Sequence, residues 1–306
     1  MLSGITITCF ASSYAVTLAL EVSRLFFRVP VRWILMIVFA AAGLLAHTMY
    51  LSTLTRQELQ TANVTPLATW YDWCLLAAWV LAAAYLALAV RRPATTVGIF
   101  LLPLVLALIG TAHAVRLLPP FARAQALSYW ALLHGIMLML GTAVTALGFA
   151  AGVMYLLQSY RLKRKLPPRP GFRLPPLEWL QRINRRSLQW STCLLGLGLL
   201  AGLALNLIRQ SDRDGSVAWT DPVVLASGVL FLWLALSLLC ESFCRPAGEG
   251  RRVAYVTLAS FVFLGLVLCL VLLGQHGIAR PPDDSLPTPA APTRAADRTP
   301  SPQWGR

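Results

Sequence analysis

The sequence predicts an all-α, polytopic transmembrane helical bundle of about eight spans, with both termini on the outer side. Three observations predict it. Of the 306 residues, 57% are hydrophobic and only 12% charged, about half the charged share of a soluble domain. Mean hydropathy is +0.65. The apolar residues fall in long blocks nearly free of charge, and roughly 20 such residues are needed to cross about 30 Å of hydrocarbon. Blocks of that length outrun a barrel strand, and a helix satisfies its own backbone in lipid.

The blocks lie at 4–24, 33–54, 67–90, 96–117, 127–158, 188–208, 222–242 and 253–275. The stretch from Met1 to Thr8 has no Lys or Arg, and the first block carries Glu21 and Arg24 at its end. It reads as a first span, not a cleavable leader. Orientation comes from the loops. The first holds Arg24, Arg28 and Arg32, and the third Arg91 and Arg92. The fifth, Arg161 to Arg186, has nine basic residues against Glu178 alone. The seventh has Arg245, Arg251 and Arg252 against Glu249. The even loops carry less net positive charge, the fourth (Arg116, Arg123) giving the weakest contrast. The odd loops are therefore assigned to the cytoplasm and both termini to the outside.

The net charge of +14 has the same source. In a soluble chain it would suggest nucleic acid; here the cations sit in short loops and set orientation, so the expected partner is the lipid bilayer and not nucleic acid. Six cysteines occur, none in a C-x-x-C pair and most inside apolar blocks, where cysteine behaves as a small hydrophobe. Neither a disulfide framework nor a dithiol redox centre is expected. Glu21, Asp72 and Glu241 lie near span ends and read as interfacial.

Three regions follow: a four-span part, 1–126; a second part, 127–277, with a basic cytoplasmic loop over 159–187; and a disordered Pro-rich tail, 278–306, too poor in large apolar residues to fold. The fifth loop is Pro-rich before Leu177. Leu177 to Arg186 admits two readings: a short interfacial helix with Trp179 on the membrane and Arg182, Arg185 and Arg186 at the head groups, or a solvated linker whose charges are topogenic. Gly198 and Gly202 are four apart on one helix face, which suits close helix packing.

The four histidines, His47, His113, His134 and His276, all lie within or at the end of a span. With the assigned topology each sits in the outer half of the membrane. Ionisable residues there are costly and point to function. Two neutral imidazoles from facing helices can hold one haem iron, and bundles build cofactor sites in this way. The outer boundary also offers the aromatic faces of Trp70, Tyr71, Trp73, Tyr129, Trp130 and Trp219. The competing reading is a histidine hydrogen-bonded to a neighbouring helix within an ordinary aromatic belt. Zinc fits less well, since no short-spaced ligand cluster is seen. Asp221 before Pro222 also suits a helix start.

Several stretches carry a family resemblance. Tyr129-Trp130-Ala131-Leu132-Leu133-His134-Gly135 opens a span running to Met154-Tyr155-Leu156-Leu157 and a basic loop. Leu195 to Gly202 follows, then Trp219-Thr220-Asp221-Pro222, and a last span ending Leu272-Leu273-Gly274-Gln275-His276-Gly277. This order, over about residues 128–277, resembles the cytochrome c assembly protein family, and within it the short HemX-like branch. The resemblance implies that His134 and His276 ligate haem iron at the outer face, and that Trp219 and Asp221 are what remains of a tryptophan-rich loop, W-G-x-W-W-x-W-D in full, that holds the haem edge. It makes His47 the early histidine of the shorter members; His113 is either a second intramembrane ligand or structural. The implied cofactor is non-covalent b-type haem. The implied partner is an assembly protein or apocytochrome c, and the implied place a bacterial-type cytoplasmic (inner) membrane. The expected role is haem handling in cytochrome c biogenesis. The alternatives are a scaffold or regulator of a haem-pathway enzyme, and a small-solute transporter. No paired carboxylates, Ser-His-Asp order or phosphate loop suggests an enzyme.

Overall fold

Helices begin and end where the sequence changes its chemistry. The structure, a computed structural model, describes residues 6–27, 31–60, 67–118, 129–167, 171–212, 219–243 and 249–273. These hold eight helices: α1 (Ile7–Ser23), α2 (Arg32–Gln60), α3 (Trp70–Arg91), α4 (Gly98–Val115), α5 (Tyr129–Lys163), α6 (Leu177–Asp212), α7 (Pro222–Phe243) and α8 (Glu249–Leu273). No strand occurs among the described residues. Helices α2 to α8 are long and apolar enough to cross a membrane; α1 is apolar but shorter, at 17 residues. The tail 278–306 and His276 lie outside the described residues.

Local chemistry fixes the helix starts. Before α3, Leu67 takes a left-handed backbone (φ 59°). Thr69 and Asp72 then form a reciprocal capping box, which satisfies donors that the first turn leaves unpaired. Pro222 opens α7, and the Asp221 carboxylate accepts the Val223 N–H at 2.8 Å, a direct N-cap.

Helices α1 to α4 close a ring, each packed on the next and α4 back on α1. Phe10, Tyr14, Leu75, Leu81, Tyr85 and Leu101 fill it. Helices α5 to α8 form a second group in which α8 touches α5, α6 and α7, and α5 leans on α3 and α4 to join the two groups. The most extensive contact in the molecule is the antiparallel pair α5 and α6. Its seam exchanges glycines for side chains. Leu195 fills the space at Gly141, Leu138 that at Gly198, Ser187 that at Gly148, and His134 that at Gly202. In lipid, helix association draws on this close van der Waals contact, not on hydrophobic exclusion. The expected packing role of Gly198 and Gly202 is what the seam shows.

The loops after α1, α3 and α5 gather at one end. Arg24 donates to the carbonyls of Ala94 (2.8 Å) and Thr95 (3.1 Å). The Thr96 N–H donates to the Arg173 carbonyl at 3.0 Å. Arg92 lies over the Trp179 ring, 4.5 Å from its centroid. Three basic loops thus share one end, as the alternating charge requires. Gly171 packs on the Arg24 carbonyl so closely that a Cβ there would collide with backbone. Gly171→Ala is therefore expected to detach the fifth loop from the first, seen as faster tryptic cleavage near Arg173; unchanged digestion would refute it.

One expectation needs correction. Leu177 to Arg186 is neither a separate interfacial helix nor a solvated linker. It is the first part of α6, which runs unbroken for 36 residues, and Trp179 turns inward to Arg92. Within the basic segment 159–187, α5 continues to Lys163 and α6 starts at Leu177. The three carboxylic acids at the span ends, Glu21, Asp72 and Glu241, are buried among the helices. Asp72 is consumed by its capping box. Glu241 Oε1 lies 2.9 Å from Arg185 Nε. Glu21 accepts the Tyr85 hydroxyl at 3.3 Å, and its carboxylate lies against Gly98, where a Cβ would come within 2.6 Å of Oε1. Gly98 is the first residue of α4, whose own N-cap, Val97, makes no side-chain bond. An acid from α1 therefore lies at the positive end of α4.

Candidate functional site

His134 stands in the second turn of α5, on the seam with α6. Its Nδ1 lies 2.7 Å from the Gly198 carbonyl oxygen. A carbonyl only accepts, so Nδ1 carries the hydrogen and Nε2 is the lone-pair nitrogen of the neutral ring. Four residues on, Gly202 supplies the room: a Cβ there would lie 2.7 Å from both Cε1 and Nδ1 of His134. One turn of α6 thus gives the ring both its acceptor and its space. Histidines that ligate metals have their second nitrogen fixed in this manner, by a backbone carbonyl or carboxylate.

The neighbouring position is also shaped. Gly135 receives the Trp73 indole, which would meet a Cβ at 2.7 Å. Trp73 is held by a bond from its Nε1 to the Leu67 carbonyl at 3.1 Å. The left-handed Leu67 and the capping box after it therefore aim an α3 aromatic at the start of α5, beside His134. Trp73 was visible in sequence only as one of several belt aromatics; its pairing with Gly135 was not.

The other histidines are elsewhere. His47 is fully buried in the α1–α4 ring. Phe10 stacks on its ring at 4.2 Å and 4°, and the Tyr14 hydroxyl lies 3.4 Å from its Nδ1. Its Nε2 is buried with no hydrogen-bond partner among the described residues. Helix α2 packs on α1 and α3 but makes no contact with α5, so His47 and His134 are not brought together. His113 is exposed on the last turn of α4. Trp219 is about half exposed, and one oxygen of Asp221 serves the start of α7. No group of three or more His, Cys, Asp or Glu that could hold a bare metal ion occurs among the described residues. A haem asks less of the chain, one imidazole per axial position, and the tautomer-fixed His134 fits that need.

Length, hydropathy and packing define a multi-pass integral membrane protein made of helices. Residues 67–278, over two thirds of the chain, match the sequence model of the family described as Cytochrome C assembly protein, and the chain belongs to that family. A protein of Azospirillum brasilense, the uncharacterized 28.8 kDa protein in the nifR3-like 5' region, is 27% identical over 203 residues, 64% of this chain and 73% of that protein. No solved structure matches. Family and bundle together fit a role in cytochrome c biogenesis. Proteins of this family are generally not classical enzymes. The matched residues start just before α3, so α1 and α2 precede them.

Proposed function

We propose that this chain binds haem at the outer face of a bacterial-type cytoplasmic membrane, with His134 and His276 as the axial pair, and handles it for cytochrome c assembly. The single observation that carries the reading is the His134 ring itself, seated in a glycine notch with Nδ1 held by the Gly198 carbonyl at 2.7 Å, the way metal-ligating histidines have their tautomer and ring orientation set. Packing supports the partner: Phe149 of α5 stacks on Phe261 of α8 at 4.3 Å, so the helix that leads toward His276 lies against the one that carries His134.

The group held would be a non-covalent b-type haem, which would supply a redox-active iron for imidazoles to ligate. This chain's part is to hold and orient it. With Trp219 and Asp221 as the whole of the outer-loop signature, we place the chain with the short HemX-like branch, its haem-handling half spanning 127–277. An apocytochrome c or a further assembly protein takes the haem onward. The purified protein, oxidised and reduced, is expected to show a Soret band. The band should be lost in a His134→Ala, His276→Ala double variant that still elutes as a folded monodisperse peak. An intact wild type without a Soret band after haem reconstitution would sink the reading.

A further inference from the structure

We infer that the outward face of the first turns of α6, carrying Arg182, Arg186 and Trp190, is a binding site for an anionic phospholipid head group. The three arginines of this segment have different fates. Arg185 turns to Glu241, at 2.9 Å. Arg182 and Arg186 are exposed, as is Trp190 at 63%. Positions 182, 186 and 190 are four apart and share one face, while Leu180, Asn184, Ser187 and Leu188 are buried on the other. Glu178 sits one turn earlier and forms no ion pair with Arg182 among the described residues. Helix α8 starts at the same end with Arg251 and Arg252, both exposed.

The depth suits a lipid. At 1.5 Å per residue, α6 is about 54 Å long, against a hydrocarbon core of about 30 Å. Its charge-free stretch begins just after Arg186. Two guanidinium groups therefore project one and two turns above the level of Trp190, about 6 and 12 Å along the axis. An indole at the hydrocarbon edge with cations above it is the order in which a glycerophospholipid presents its acyl–glycerol boundary and its phosphate. Guanidinium forks bind phosphate with two parallel hydrogen bonds. A soluble phosphate would gain from the arginines but nothing from Trp190. The inference does not depend on haem.

The test uses the full chain in phosphatidylcholine proteoliposomes containing brominated phosphatidylglycerol or, separately, brominated phosphatidylcholine. Bromine quenches nearby indoles, and comparison with Trp190→Phe isolates the Trp190 signal. Brominated phosphatidylglycerol is expected to quench that signal about twofold more than the same amount of brominated phosphatidylcholine, reflecting local enrichment of the anionic lipid. Arg182→Gln with Arg186→Gln should equalise the two lipids, while Arg182→Lys with Arg186→Lys should keep part of the preference. Excess soluble glycerol phosphate should leave the preference intact. Equal quenching in the wild type overturns the inference. So does a preference that survives the double Gln variant in folded protein, or one abolished by glycerol phosphate.

Discussion

Gly202→Ala is expected to weaken haem binding at least about tenfold, although it changes no histidine. The new Cβ would stand 2.7 Å from Cε1 and Nδ1 of His134, well inside van der Waals contact. The ring cannot simply swing aside, because Nδ1 is tied to the Gly198 carbonyl. Relief means breaking that bond or spreading α5 from α6, and overpacking of this sort costs about 1–3 kcal/mol. Haem affinity is expected to fall at least about tenfold, since 1.4 kcal/mol is one decade. Gly198→Ala is the matched control. Its Cβ would crowd Leu138, at 2.7 Å from Cδ2, 3.0 Å from Cγ and 3.3 Å from the backbone N, and not the imidazole, so the loss of haem affinity should be smaller. Haem titration of both variants followed by absorbance decides it. Wild-type haem affinity in Gly202→Ala would show that the seam does not set the ligand.

The second large effect concerns stability. Glu21→Ala leaves the buried Tyr85 hydroxyl without its acceptor and removes the carboxylate that lies against Gly98 at the start of α4. A buried donor left unpaired costs about 1–3 kcal/mol, and loss of an acid at a helix N-terminus about 0.3–1. Together with the side-chain void, the variant should be destabilised by roughly 3 kcal/mol or more. Glu21→Gln keeps one acceptor oxygen and should lose less, on the order of 1 kcal/mol. Tyr85→Phe should fall in the same smaller class. Reversible unfolding in mixed detergent–SDS micelles measures all three. An Ala variant as stable as wild type would mean that Glu21 does not hold the start of α4.

The two effects differ in how far the amino-acid sequence announces them. The spans did announce themselves, because about 20 apolar residues without charge have few other uses. Boundaries drifted outward in α2, α5 and α6, because a helix does not stop where the hydrocarbon stops. The four-residue spacing of Gly198 and Gly202 signalled a packing face, but not that His134 fills it; the partner is 68 residues away. Glu21 was hidden more deeply. Its neighbours, Tyr85 and Gly98, lie on other helices, so near the end of a span it looked like an ordinary boundary acid. The bland and the functional readings of His134 turn out to share one contact: the bond to a neighbouring helix is also the bond that prepares a ligand. His47, by contrast, looked equivalent in sequence and is enclosed by Phe10 and Tyr14.

The α5–α6 seam restricts how this protein can change over evolutionary time. Positions 134, 138, 141 and 148 meet 202, 198, 195 and 187, steps of four, three and seven on α5 and of four, three and eight on α6, close to the heptad of a left-handed pair. Each residue added or removed in a helix rotates everything beyond it by about 100°. Between His134 and Gly148, a one-residue deletion would therefore point the imidazole away from its notch, whereas loss or gain of a whole heptad would return it to the same side. Lineages that keep this site should tolerate length variation in the connecting segments, and inside these two helices only in multiples of seven.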